Sequence, residues 1–500
     1  MDTDRHEWQE FPRSRKWNAR WIWSESSGKE QNVYCLFRRE FQIEGDPAPH
    51  RLYVAADTRY QLFVNGTFVG RGAPQSQPYF QYYDERDVGT HLAAGTNCIA
   101  FIVNHVGNLA DTRGGLLAEL EGPGHEPVVA TGREWSVRRA DAWQQETYMC
   151  GGNQATPFQE FFDARKMPVG WNEVGFDDSD WQPASVVGGR VGEAPPMAGP
   201  WIRLVPRDIP FMADETLLPR EIAYEEECLD IANRNRPDDL SIALSAPGQP
   251  LQHSMLEEAG NLCRPETVTV ARCSVKHKQD HFDGIYDPCV VLDFGRVITA
   301  YPEIQVDGVD GGVIEIGYAE RLLNGYFNNA IEGQFADRYV MKEGHQNWSP
   351  FTWKSFRYLK IRIRSCQRPI NIHAVRARIS TYPYEEKGGF EGEDETLNRV
   401  FDISRYTLRL CSNEFLMDTP WREQAQWLGD VSAVTLGGIY ACFGDTALPG
   451  KFLRQSAANQ HPTGMRANLS NAVDKGWNWA IPDYSLWWLM GLWNHYLYTG

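Results

Sequence analysis

Near Phe390 the spacing of apolar residues changes, and that change limits what the chain can fold into. Before it, apolar residues alternate or run in short β-branched stretches: Val290-Val-Leu-Asp-Phe-Gly, Gly312-Val-Ile-Glu-Ile-Gly-Tyr and Phe356-Arg-Tyr-Leu-Lys-Ile-Arg-Ile. After it, Leu397, Val400, Phe401, Leu408 and Cys411 recur every three or four residues, the helical period. Further helical segments are expected over about 420–443, 447–460 and 482–498. A fold of β modules followed by an α domain is therefore expected.

The β part divides further. Arg51-Leu-Tyr-Val-Ala alternates, and Asn97-Cys-Ile-Ala-Phe-Ile-Val-Asn reads as another strand. Asn65-Gly66 between Tyr60-Gln-Leu-Phe-Val and Thr67-Phe-Val-Gly is a hairpin signal, because both turn positions favour positive φ. We expect an N-terminal β-sandwich over residues 17–120 and a mixed, turn-rich extension over 121–214. A second β-sandwich is expected over 215–387, with the helical domain over 388–500. Pro195, Pro196, Pro200, Pro206 and Pro210 mark a linker-like segment. The stretch Phe176-Asp-Asp-Ser-Asp-Trp181 raises calcium, but it has no Glu at the twelfth loop position, so an Asx-turn loop is the better reading.

The 500 residues are too many for one core. A formal charge of −17 argues against nucleic-acid and anionic-membrane partners, which reward basic surfaces. No apolar run is long enough to span a bilayer. Met1 to Lys16 is polar, without the apolar core of a signal peptide, so a cytoplasmic protein is expected. The ten Cys form no Cys-x-x-Cys pair and no Cys/His cluster at zinc spacing; they read as reduced, buried thiols. Neither a metal nor a cofactor is expected. Eighteen Trp and 21 Tyr serve either stacking on carbohydrate or the packing of large domains.

The chemistry concentrates in Asp418-Thr-Pro-Trp-Arg-Glu-Gln-Ala-Gln-Trp-Leu-Gly-Asp430. Pro420 suits the first turn of a helix, and Asp418 or Thr419 can cap it. A helix running on from Pro420 places Glu423, Trp427, Asp430 and Val434 on one face. Trp421, Ala425, Leu428 and Ser432 fall on the inward face. Acids beside a flat ring make a sugar-site composition. A plain helix cap with a solvated Arg–Glu pair has equal standing on spacing alone.

Nearly the whole chain, from Trp21-Ile-Trp23 to Gly500, resembles the bacterial α-L-rhamnosidase family of inverting glycoside hydrolases. The similar stretches are Phe37-Arg-Arg-Glu-Phe, Ala56-Asp-Thr-Arg-Tyr60, Val64-Asn-Gly and Phe161-Phe-Asp-Ala-Arg165 with Gly170-Trp171. Asp293-Phe-Gly-Arg296, Gly317-Tyr-Ala-Glu320, Phe356-Arg-Tyr358 and, most specifically, Asp418 to Asp430 follow. The family often has Cys-Pro-Gln where this chain has Thr419-Pro420-Trp421, a change that spares the acids and Arg422.

The resemblance implies β-sandwich modules leading into the start of an (α/α)6 toroidal barrel. It implies an enzyme that removes terminal α-L-rhamnose from glycosides or oligosaccharides. Glu423 is then the general acid, Asp418 and Asp430 bind rhamnose hydroxyls, Arg422 and Trp427 line the pocket, and Trp487 is a stacking wall. Asp418, Asp430 and burial beside Trp427 would raise the pKa of Glu423. Arg422 would oppose that if it reaches Glu423 and not if it pairs with Asp418; the sequence leaves both open.

The family's general base, a downstream Glu, falls beyond Gly500. With few partners for Trp487, Trp488, Leu489 and Leu492, the chain is expected to be a fragment with an incomplete, inactive site. Alternatives are a related glycosidase with another sugar specificity, a non-catalytic carbohydrate-binding protein, and a structural β-sandwich assembly protein.

Overall fold

The computed structural model describes residues 15–500 except 26–27, 48, 77–79, 108–111, 152–155, 188–200, 202, 231–238, 276, 280–281, 332, 461–462 and 470–479. Pro195, Pro196 and Pro200 of the proline-marked segment lie outside the described residues. The chain divides into two compact units. Met1–Ala140, Pro168–Ile209 and Arg454–Trp479 form the first; Asp141–Met167, Pro210–Leu453 and Ala480–Gly500 form the second.

In the first unit, β1 (Val33–Ile43), β2 (Arg51–Asp57), β3 (Arg59–Val64), β4 (Thr67–Gly72), β5 (Gln81–Asp87), β6 (Gly95–His105) and β7 (Gly115–Glu121) build two sheets. The six-stranded sheet holds β1, β6, β3 and β4; the seven-stranded one holds β7, β2 and β5. β1 and β6 pair antiparallel from Val33↔His105 to Ile43↔Gly95. Asn65 and Gly66 turn β3 into β4 with φ of 48° and 80°, as the hairpin signal predicts. Phe37 and Phe101 from one sheet and Val54 and Leu117 from the other enter one core with Trp21, Trp23 and Trp201. Trp21 and Trp201 stack with centroids 4.0 Å apart. In the acidic loop, Asp177 accepts from the Ser179 amide and Asp178 pairs with Arg38, so turn and ion-pair roles occupy these carboxylates.

The second unit is built on a twelve-stranded sheet. Its strands include β8 (Glu221–Asp230), β9 (Phe282–Gly308), β10 (Val313–Ala319), β11 (Ala336–Val340), β12 (Gly344–Trp348), β13 (Lys354–Arg364) and β14 (Ile370–Ile379). β9 runs for 27 residues. Its first part pairs with β8, its last part with β12 and β14, and β13 spans an irregularity between Asp293 and Ile298. Gly295, at φ 81°, sits in that irregularity, where a side chain would be strained. Alternate residues of β9, β10 and β13 (Leu292, Ile304, Ile314, Ile316, Leu359, Ile361) form the core.

The helices follow. α1 (Glu395–Leu410) begins at Asp394, whose carboxylate accepts from the Thr396 amide. Leu410 and Cys411 are buried at its C-terminal end, but Leu397 and Val400 are more than half exposed. α2 (Leu428–Asp430) passes through a π-helical turn (Val431–Thr435) into α3 (Leu436–Phe443). α4 (Ala447–Ala458) and α5 (Pro482–Thr499) complete the series. Among the described residues, no helix is long and apolar enough to cross a membrane.

Candidate active site

The acidic stretch is not one helix. Residues 418–427 form turns and loop, and the helix begins only at Leu428. Gln424 takes a left-handed φ of 51°, which ends any helical run from Pro420. The Gln424 side chain donates back to the Pro420 carbonyl at 3.0 Å, and its amide donates to the Thr419 carbonyl at 3.1 Å. Thr419 also accepts from the Trp421 amide through its hydroxyl at 3.3 Å. So Glu423 and Asp430 do not share a helical face. The loop brings both within electrostatic reach of Asp418 by another route.

That route starts at Asp418. Its amide donates to the Ala425 carbonyl at 3.0 Å, and its carboxylate accepts from the Ala425 amide at 3.1 Å. The loop is thereby pinched shut around residues 419–424. Buried Gln426 fixes the base by accepting from the Leu416 amide at 3.1 Å. Trp421 leaves the helices and stacks on Phe335, with centroids 3.6 Å apart. At the next residue, a Cβ on Gly151 would lie 1.8 Å from the Arg422 carbonyl oxygen, so only glycine fits there.

Glu423 projects from the pinched loop. Its Oε2 accepts from the Trp427 indole N–H at 2.8 Å. Its Oε1 lies 3.4 Å from Arg422 Nε, so of the two pairings open to Arg422 the guanidinium reaches Glu423. Asp418 is the carboxyl that its surroundings push up, to about 7. Burial is the largest cause, and Glu423 and Asp430 push the same way, while the Ala425 and Thr419 amides pull it down.

Asp430 sits exposed in the first turn of α2. It accepts from the Tyr484 hydroxyl of α5 at 3.1 Å, and burial with Asp430 alongside raises the Tyr484 phenol to about 12. The Tyr484 ring meets Trp427 edge-on with centroids 6.5 Å apart and lies against Gly429, where a Cβ would approach it to 2.4 Å. Trp487, three residues further along α5, is 44% exposed. Among the described residues it makes no ring contact or hydrogen bond with the acids; Tyr484 makes that contact. Tyr484, Phe335 and Gly151 lie far away in sequence, and no local spacing marks them.

The arrangement offers three carboxyls in unlike surroundings, one guanidinium and two aromatic rings. Such a set can hold a proton, accept from hydroxyls and present a flat apolar surface. Family models match in chain order. The α-L-rhamnosidase N-terminal domain matches residues 45–205, the bacterial α-L-rhamnosidase concanavalin-like domain 285–378, and the bacterial α-L-rhamnosidase 6 hairpin glycosidase domain 385–500.

An α-L-rhamnosidase of Streptomyces avermitilis is 30% identical over 433 residues, which are 81% of this chain and 34% of that protein. One of Formosa agariphila is 21% identical over 443 residues, covering 83% of this chain and 40% of its own. The crystal structure of a GH78 family rhamnosidase of Bacillus sp. GL1 aligns with a TM-score of 0.78 at 22% identity, over 96% of this chain and 67% of that one. An α-L-rhamnosidase of Dictyoglumus thermophilum aligns with a TM-score of 0.69 at 18% identity, over 96% and 48%.

Fold and sequence thus define a class: β modules that lead into an α/α glycosidase barrel. The chain belongs to the bacterial α-L-rhamnosidase family. It spans well under half the length of the two curated relatives described.

Proposed function

We propose that this chain carries the acid side of the active site of an inverting α-L-rhamnosidase, which removes terminal α-L-rhamnose from glycosides or oligosaccharides. The observation that carries the reading is the pinched loop, which sets Glu423 against Trp427 and brings Glu423 and Asp430 within electrostatic reach of Asp418. In this reading Glu423 protonates the glycosidic oxygen as the bond to the sugar breaks. Asp418, with its pKa near 7, is part protonated at neutral pH and can donate to a sugar hydroxyl. Asp430 accepts from hydroxyls, and Trp427 and Tyr484 wall the site. Arg422, 3.4 Å from Glu423, lines the same pocket.

Inversion also needs a second carboxylate, ~6.5–9.5 Å from the acid, to activate water on the opposite face of the sugar. Asp418 and Asp430 belong to the acid's own segment. The base is assigned to the part of its relatives' length that this chain does not span. The 500-residue chain alone is accordingly expected to be inactive.

A second reading rests on one observation. Asp418 is the carboxyl pushed to about 7, so it is the alternative proton donor. Leaving-group dependence separates the two in the complete protein. Loss of a general acid costs ~10²–10⁴-fold on a poor leaving group and far less on a dinitrophenyl rhamnoside, which departs without a proton. Glu423→Gln is expected to show that split and Asp418→Asn a loss common to both substrates. The reverse pattern assigns the proton to Asp418. If both variants keep near-parental rates, the loop is not catalytic.

A further inference from the structure

A second cluster in the same unit uses none of these residues. Asp307 lies on β9 and pairs in register with His345 of β12 on one side and with Asn371 of β14 on the other. His373 is two residues beyond Asn371, so strand alternation returns it to the face that carries Asp307. One carboxylate oxygen of Asp307 lies 2.8 Å from His345 Nδ1, and the other lies 2.7 Å from His373 Nε2. The three donor groups fall within 4.8 Å of one another. The imidazole centroids are 5.3 Å apart. The side chains of Asp307, His345 and His373 are 39%, 56% and 29% exposed, so ions and water reach all of them.

We propose that Asp307, His345 and His373 bind one divalent transition-metal ion, with Zn²⁺ the reference case. Two imidazole nitrogens and one carboxylate are a borderline donor set. It suits zinc, nickel and copper; calcium and magnesium take oxygen ligands. Three protein ligands on an open surface leave the remaining positions to water. The ligands come from three neighbouring strands whose hydrogen-bond ladder already fixes their backbones. Little ordering remains for the ion to impose.

In the ion-free form Nδ1 of His345 and Nε2 of His373 face the two oxygens of Asp307, each placed to donate an N–H. On binding, Nδ1 of His345 and Nε2 of His373 ligate the ion, and each neutral imidazole carries its proton on the other ring nitrogen. His345 Nε2 lies 3.0 Å from the Gln305 side-chain nitrogen, and the Gln305 oxygen accepts from Arg376 at 3.2 Å. After the tautomer change the Gln305 amide rotates so that its oxygen accepts from both His345 Nε2–H and Arg376. Gln305 is thus a positioning residue for the site.

The test titrates the chelator-stripped 500-residue chain with ZnCl₂ by calorimetry and with CoCl₂ by visible absorption. The expected result is one equivalent of Zn²⁺, with the Co²⁺ form showing ligand-field bands and no thiolate charge-transfer band. Affinity should fall at least ~10-fold in Asp307→Asn and by more in the double variant His345→Gln/His373→Gln, with roughly a 10-fold loss in Gln305→Ala. Calcium should give no saturable heat. His345 is exposed and Asn is isosteric with Asp, so circular dichroism should match the parent. The proposal is overturned if the parent chain binds no stoichiometric Zn²⁺, if the double variant binds it unchanged, or if the Co²⁺ spectrum reports thiolate ligands. The rhamnosidase reading does not depend on any of these outcomes.

Discussion

In the first unit, Trp21, Trp23, Phe37 and Phe101 are at most 1% exposed. Along α5, Leu486, Trp487, Leu489 and Trp493 are between 44% and 63% exposed. The residue types match; the supply of partners differs. Two sheets facing each other complete one core from their own inner faces. A helix with apolar residues around most of its circumference needs neighbours on several sides. Apolar area contributes ~25 cal/mol per Å² only when it leaves water. The β modules hold their stability within the chain. The helical region carries the proposed chemistry while much of its apolar surface stays wet.

Substitutions sharpen that contrast. Trp21→Ala removes a buried ring stacked on Trp201 and should cost ~3–5 kcal/mol in urea unfolding followed by fluorescence. Leu489→Gln, 56% exposed at its parent residue, should change stability by less than ~0.5 kcal/mol in the same assay. Equal losses at the two positions would break the contrast.

Asp418→Asn tests the buried carboxyl of the helical region. The folded pKa, about 7, exceeds the unfolded value of ~3.9, so the folded chain binds the extra proton. Stability from this group is complete below pH ~4, falls between pH ~4 and 7, and is lost above. The variant should therefore match the parent near pH 4 and exceed it at pH 8 by about 4 kcal/mol. A pH-independent difference would show that Asp418 does not titrate as described.

Gly429→Ala presses a methyl against the Tyr484 ring and should cost ~1–2 kcal/mol by thermal melting. Tyr484→Ala should relieve most of that cost in the double variant, because it removes the clash. Additive losses would mean that α5 does not rest on Gly429.

Much of the fold is legible because its signals are local. Gly312 to Tyr318 alternates and lies largely in β10; Asn65-Gly66 demands positive φ and turns β3 into β4. The period change near Phe390 marks where strands give way to helices. The candidate site is legible as composition and less so as geometry. Pro420 and the acid spacing describe a helix that does not form. Gln424 adopts a left-handed backbone, and Trp421 is drawn to Phe335, a partner that no window around residue 420 contains. Tyr484 reaches Asp430 across 54 residues for the same reason. His345 and His373 stand 38 and 66 residues from Asp307, so a search for zinc spacing passes over them. Only the strand register brings them together.

The 27-residue β9 has a consequence for how the chain folds as it is made. Its ladders run back to Glu221 and forward to Ile379, so the sheet cannot close until Ile379 has emerged from the ribosome. Until then β9 waits with an open edge, a template for pairing with another nascent chain. Such long-range pairing is intrinsically slow. The acid loop follows Ile379 by only a few dozen residues. Phe335, its stacking platform, lies in the part synthesised before it, so a pause in translation soon after Ile379 would let the platform set before the loop arrives.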